Sequence, residues 1–194
     1  MATPSLICLG LRRMCAALLT IILLLTCCCA SPCVAKQIEE YHVKAVFLFN
    51  LVHFVTWPAE PSAADLSPFS IGIYGEDPFG QVLDNVIKGE KKFDTLIVVK
   101  RYGNLEELRT DPCNILFVSA KAMSQWAQIR ALIAASAILS VSDVAGFPEN
   151  GGMVNLLKSD QRVQIEINRT AVDEAGLAVS AKLLTVARLV PRKL

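Results

Sequence analysis

The sequence predicts an α/β domain: a three-layer mixed sheet flanked by helices, ending in a C-terminal antiparallel hairpin and a final helix. Three observations carry this. Apolar runs of strand length recur along the chain: FSIGIY (69–74), TLIVVK (95–100), NILFVS (114–119) and ILSVSDV (138–144). Helical patterns separate most of them, giving the order β-α-β-β-α-β of a layered α/β domain. Beyond residue 147 the pattern becomes two strands joined by the polar Lys158-Ser159-Asp160-Gln161, a hairpin signal.

The elements follow in order. Ile38 to Trp57 reads as a helix whose Val43, Val46, Phe47, Phe49, Val52, Phe54 and Val55 cover most of its circumference, so it should be largely buried. Trp57-Pro58 ends it, because a residue before proline is pushed out of the helical region. Pro58 to Pro68 is the longest loop. After the first strand, Asp77 and Pro78 suit the cap and first position of a helix reaching Lys88, with Phe79, Val82, Leu83 and Val86 inward. The continuous apolar strands 95–100 and 114–119 suit burial on both faces. Ser124 to Ser136 is a helix with Trp126, Ile129, Leu132 and Ile133 inward.

Phe147 to Gly152 is a turn cluster before the strands Met153–Leu157 and Arg162–Ile167. Val163, Ile165 and Ile167 alternate with Gln164, Glu166 and Asn168, which predicts a hairpin with one wet face. Thr170 with Asp173 suits a helix cap, and Gly176 breaks that turn. Leu177 to Val190 is the final helix, with Leu183, Leu184, Val186, Ala187 and Val190 toward the core and Lys182, Thr185 and Arg188 as its polar stripe.

The chain begins as an exported precursor. Arg12 and Arg13 precede an apolar run, Ala16 to Thr26, of signal-peptide length, and small-residue cleavage sites end at Ala30 and Ala35. The division is therefore 1–35 as signal peptide and 36–194 as one domain that works outside the cytoplasm. A lipid-modified Cys27 and an uncleaved anchor are the alternatives.

Removing 1–35 takes two arginines and no acid, so the net charge of +1 becomes −1. A near-neutral domain has no electrostatic footprint for nucleic acid. Six of the seven cysteines fall in the signal, leaving Cys113 without an intrachain partner. It reads as a buried thiol beside a strand, with an intermolecular disulfide as the alternative.

Catalytic signals are few. His42 and His53 stand about three turns apart on one helix, too far for one metal ion, and neither has a ligand at zinc spacing. Ser119-Ala120-Lys121 and Ser180-Ala181-Lys182 resemble serine–lysine pairs, but the first sits at a strand end, where a serine often starts a turn, and in the second residues two apart on a helix point in different directions. Phosphate-binding loops are missing. Asp143, at the end of the fourth strand, is the best single carboxylate, because ligands in open α/β sheets sit beyond the strands' carboxyl ends. Asn168-Arg169-Thr170 matches a glycosylation sequon that matters only in a eukaryotic secretory pathway. The reading is no enzyme, no cofactor and no metal.

Three segments carry a resemblance: Lys44-Ala45-Val46-Phe47-Leu48-Phe49-Asn50 through Trp57-Pro58; Gly151-Gly152-Met153-Val154-Asn155 through Glu166-Ile167-Asn168; and Gly176-Leu177 with Ser180-Ala181-Lys182-Leu183-Leu184 and Ala187-Arg188. In this order, behind a signal peptide, they resemble the YfiR family of bacterial periplasmic proteins. The resemblance implies a repressor that binds the periplasmic part of an inner-membrane diguanylate cyclase and lowers cyclic-di-GMP. An OmpA-like outer-membrane lipoprotein would sequester it, and a homodimer remains open. Well-known relatives carry paired cysteines near the turn before the Gly-Gly-Met hairpin; the turn Phe147 to Gly152 has none, which puts internal redox control in doubt. The alternative function is a periplasmic small-molecule binding module with a pocket near Asp143.

Partner-binding candidates are Phe147, Pro148 and Met153 as apolar anchors around the turn, with Arg162, Glu166 and Asn168 on or beside the wet face. Glu166 could equally pair internally with Arg162 or Lys182. Trp57 reads as a buried plug at a helix end rather than as a contact.

Overall fold

Eight strands line up in one sheet in the spatial order β3 (Lys91–Lys92), β4 (Thr95–Tyr102), β2 (Phe69–Tyr74), β5 (Ile115–Val118), β6 (Leu139–Ser142), β7 (Val154–Ser159), β8 (Arg162–Ile167) and β10 (Arg188–Leu189). The computed structural model describes residues 32–58, 67–159 and 162–192. The expected signal peptide, most of the Pro58–Pro68 loop and the hairpin joint at 160–161 lie outside the residues whose side chains are described. Glu39–Leu194 forms one unit, and every contact described lies within it.

Helix α1 spans Pro32–Phe54 and runs into a two-residue strand, β1 (Val55–Thr56). Its buried stripe is Ala45, Leu48, Leu51 and Val52, at the three- and four-residue spacing of a single face, and Val55 of β1 continues it. Val43 and Val46 are 39% and 38% exposed, so the helix is buried on one side and not all round as its composition suggests.

The central strands are β2 (Phe69–Tyr74), β4 (Thr95–Tyr102), β5 (Ile115–Val118) and β6 (Leu139–Ser142), all parallel to one another. β2, β5 and β6 are buried at every position, as two-faced cover requires. β4 is only partly buried, because its outer neighbour is the short β3 (Lys91–Lys92). Two lysines on that rim discourage edge-to-edge pairing.

Asp77 caps a turn rather than a helix. Its carboxylate accepts from the amides of Phe79 and Gly80, and helix α2 (Gln81–Ile87) starts immediately after Gly80. A helix absent from the sequence reading, α3 (Leu105–Thr110), separates β4 from β5. Asn104 accepts from the Glu107 amide while Glu107 reaches back to the Gly103 amide, a reciprocal cap. The expected helix at 124–136 is a 3₁₀ segment, Ala120–Gln125, followed by α4 (Trp126–Ile133), with Trp126, Ile129 and Ile133 buried.

These elements make three layers. One face of the sheet packs Leu48, Leu51, Phe79 and Leu83 of α1 and the α2 region against Ile71, Ile73 and Phe117. The other packs Leu108, Trp126, Ile129 and Phe147 against Tyr74, Leu116 and Val118.

Strands β7 (Val154–Ser159) and β8 (Arg162–Ile167) form the expected antiparallel hairpin. Helix α5 (Arg169–Glu174) is capped by Asn168, which accepts from Ala171, and not by Thr170. Gly176 follows with φ of 70°.

The expected helix 177–190 is divided into β9 (Ala178–Val179), α6 (Ala181–Val186) and β10 (Arg188–Leu189). β9 pairs with β1, and β10 pairs with the open edge of β8. Ser180 caps α6 by accepting from Leu183, so the helix starts anew there. Backbone pairing partners elsewhere in the chain override the local helical pattern. Val186, expected in the core, is 69% exposed.

Candidate functional site

The segment 144–152 follows β6 and lies beyond the carboxyl end of a parallel strand, where open α/β sheets place their sites. Its backbone carbonyls are held by side chains from four directions. Asn155 Nδ2 donates to the Val144 carbonyl at 2.9 Å, and Asn168 Nδ2 donates to Pro148 at 2.8 Å. Trp126 Nε1 and Arg130 Nη1 both donate to the Asn150 carbonyl, at 3.0 and 3.2 Å. Asn150 itself donates to Gly146 at 2.7 Å. Gly152 lets the ring of Phe147 lie on the backbone: a Cβ there would fall 2.3 Å from the ring. The Trp126 and Phe147 rings meet at 4.6 Å between centroids, tilted by 52°.

Most of the candidates read from the sequence lie inside the fold. Phe147, Pro148, Met153, Glu166 and Asn168 are buried, and only Arg162 is exposed. The alternation in β8 does not give a wet face along its whole length. β10 and the segment 144–152 cover the end that carries Glu166 and Asn168.

Asn155, Glu166 and Arg188 stand opposite one another across β7, β8 and β10. Asn155 Nδ2 donates to Glu166 Oε2 at 3.2 Å, and Arg188 Nη2 pairs with Oε1. The internal partner of Glu166 is therefore Arg188, rather than Arg162 or Lys182. Asn155 and Glu166 are buried behind the segment, while the Arg188 side chain is 58% exposed. Accessible residues of the segment include Ala145, Glu149 and Asn150.

Asp143 belongs to a different constellation. Its carboxylate accepts from Tyr41 Oη at 3.0 Å and from Lys44 Nζ at 2.8 Å. Lys44 is 3% exposed and also pairs with Glu40 at 2.6 Å; Lys158 pairs with Glu40 as well. Burial raises the Glu40 pKa, but the two lysines outweigh it and hold the carboxyl below its ordinary value. Burial and the Asp143 charge push the Tyr41 hydroxyl well above its usual range. The cluster ties α1 to the end of β6 and to the hairpin. Asp143 is thus a structural anchor.

The remaining candidates also have structural roles. Trp57 is 6% exposed and packs edge-on against Phe69 at 4.9 Å. Ser119 Oγ is buried just beyond the end of β5, and Lys121 pairs with Glu76 at 2.6 Å. His42 and His53 are exposed, and His53 meets the edge of Phe49. Cys113 is 5% exposed, so this conformation offers no thiol to an intermolecular disulfide. Burial pushes that thiol up to about 12, against smaller opposing contributions from Tyr102 and nearby amides.

Two clefts flank these constellations. One, roughly 620 Å³, lies between α4 and the segment 144–150, with Arg192 at its margin. A smaller apolar groove of roughly 180 Å³ runs between α1 and α6 over the hairpin. Asp143 lines neither. The sequence reading placed Trp126 inward but missed Arg130, Glu149 and Asn150 as cleft residues. The Phe147–Gly152 turn signal marked the place without showing which side chains face out.

Among the described residues no helix is long and apolar enough to cross a membrane, and no group of histidines, cysteines and carboxylates could hold a metal ion. No curated protein matches the chain. The model of the YfiR/HmsC-like family (DUF4154) matches residues 41–188, from within α1 to the start of β10. The chain belongs to the YfiR/HmsC-like family.

Proposed function

We propose that this chain is a periplasmic regulator that binds the periplasmic part of an inner-membrane diguanylate cyclase and holds it inactive. The observation that carries the reading is the family match over 41–188, since the family's role is regulatory, in cyclic-di-GMP signalling. The export signal expected at 1–35 agrees with it. The protein would act on the cyclase across the membrane, without touching the nucleotide. Such a regulator must bind the inactive state of its target more tightly than the active one, because a ligand of equal affinity shifts nothing. An OmpA-like outer-membrane lipoprotein would relieve repression by competing for the regulator. The small-molecule alternative drew on Asp143, whose carboxylate is engaged by Tyr41 and Lys44.

Deleting the gene and measuring cellular cyclic-di-GMP tests the proposal. The level should rise, and the exported domain supplied in trans should restore it. An unchanged level in the deletion strain refutes the repressor reading.

A further inference from the structure

Strand β4 carries an open main-chain edge. The Gly75 amide donates to the Tyr102 carbonyl at 3.1 Å, so Tyr102 turns its main chain toward β2. The Ile97 amide donates to the Glu90 carbonyl at 3.0 Å, so Ile97 turns outward, to the rim. Main-chain direction alternates along a strand, which turns Val99 and Arg101 outward with Ile97. On that side β3 reaches only the start of β4, with Lys91 opposite Leu96 and Lys92 opposite Thr95. Among the described residues no strand lies opposite the amides and carbonyls of Val99 and Arg101.

Charged side chains usually guard such an edge. In this stretch the two cations are tied back. Lys100 donates to the Pro112 carbonyl at 3.0 Å and pairs with Asp111. Arg101 pairs with Asp77 at 2.8 Å and with Asp84 at 2.6 Å. Leu96 is 52% exposed, and Val98 and Val99 are half-buried, so apolar surface borders the edge. A cleft of roughly 360 Å³, lined by Lys100, Arg101, Tyr102, Glu107, Thr110 and Asp111, leaves room beside its end.

We infer that β4 takes up one extended strand of a partner protein, paired main chain to main chain over residues 98–102. The open groups of Val99 and Arg101 repeat at about 6.6 Å, the two-residue rise of a strand, and an extended chain presents its own amides and carbonyls at that spacing. Charge selects nothing here, because each cation already has a carboxylate. The partner strand is chosen by its backbone and by a β-branched or aromatic side chain opposite Val99. A second copy of this chain does not fit. A two-fold antiparallel pair over 98–102 sets Lys100 opposite Lys100, and one step further on it sets Arg101 opposite Arg101. Like charges directly opposite destabilise a pair. One step back, Arg101 of the copy would take the place of Glu90 beside Ile97. The inference rests on the regulatory reading and deepens it by naming the surface and the kind of partner segment.

The test uses displayed dodecapeptides selected against the exported domain, read by amide hydrogen exchange and by the variant Val99→Pro. In the free domain the Val99 and Arg101 amides should exchange fast, and those of Val98 and Lys100, which face β2, slowly. Selected peptides should protect Val99 and Arg101 on binding. Val99→Pro removes an outward amide, a place where proline is tolerated in edge strands, so the domain should fold and bind the peptides about tenfold or more weakly. The exchange pattern stands as the test should that variant misfold. Slow exchange at both amides in the free domain, failure to enrich any peptide, or peptides that bind without protecting them overturns the inference. So does unchanged affinity in folded Val99→Pro. The two readings fail separately. A rise in cyclic-di-GMP on deletion that folded Val99→Pro fully reverses removes only the edge. Protection of Val99 and Arg101 by bound peptide, with no change on deletion, removes only the repressor.

Discussion

Replacing Asp143 with alanine strikes the junction between α1 and the sheet. The side chains of Lys44 and Asp143 are 3% and 8% exposed and meet at 2.8 Å. Removing one partner of a buried pair costs about 3–5 kcal/mol, because the other charge stays buried. Lys44 keeps Glu40 at 2.6 Å, which places the loss near the lower end of that range. Tyr41 also loses the acceptor of its hydroxyl, worth about 1 kcal/mol. The expected total for Asp143→Ala is ~3–4 kcal/mol, or about 10 °C in Tm for a domain of this size. The double variant Lys44→Met with Asp143→Ala removes the stranded charge, so it should return to within about 2 kcal/mol of the parent. Urea unfolding followed by circular dichroism measures both. A loss below about 1 kcal/mol in the single variant, or simple addition of the two single losses in the double, refutes the reasoning.

Other outcomes follow from the same geometry. Arg188→Ala leaves Glu166, 1% exposed, with Asn155 as its remaining partner; it should cost about 2 kcal/mol and raise amide exchange at Val190, which donates to Ile167. Gly152→Ala puts a methyl 2.3 Å from the Phe147 ring and should cost about 2–3 kcal/mol in a denaturant melt, with a changed Trp126 emission. Cys113 should resist iodoacetamide in native buffer and react on unfolding. Its folded pKa, about 12, lies above the unfolded value, so the unfolded chain ionises first as the solution turns alkaline. The thiol's contribution to stability is then complete below about pH 8.5 and is lost as pH rises toward 12. Cys113→Ala should flatten the alkaline limb of the stability profile, and an unchanged limb would show that the thiol does not set it.

The strands were legible because their apolar runs are short, rich in β-branched and aromatic residues, and bounded by turn residues. FSIGIY and NILFVS lie in the sheet interior, within a residue of where the pattern puts them. Helix α3 was legible in principle, since Asn104 and Glu107 form its cap, but a six-residue helix leaves little periodicity to find. The segment 177–190 misled for the opposite reason. Its pattern is helical, yet β1 and β8 each offered an unpaired edge, and backbone pairing claimed Ala178–Val179 and Arg188–Leu189. Strand β8 erred in the same direction: alternation tells which side chains share a face, not whether another segment covers that face.

The α/β class, the order of the main strands, the hairpin, the family resemblance and the place of the turn at 147–152 can be read along the chain. These depend on local periodicity and on motifs read along the chain. Folding in three dimensions settles that Glu166 and Asn168 are buried, that Asp143 anchors α1, and that Arg130, Glu149 and Trp126 share a cleft. Those facts depend on contacts between residues far apart in sequence: Tyr41 with Asp143, Asn168 with Pro148, Arg188 with Glu166. Burial and charge pairing arise when distant segments meet, and no local pattern encodes which segments those will be.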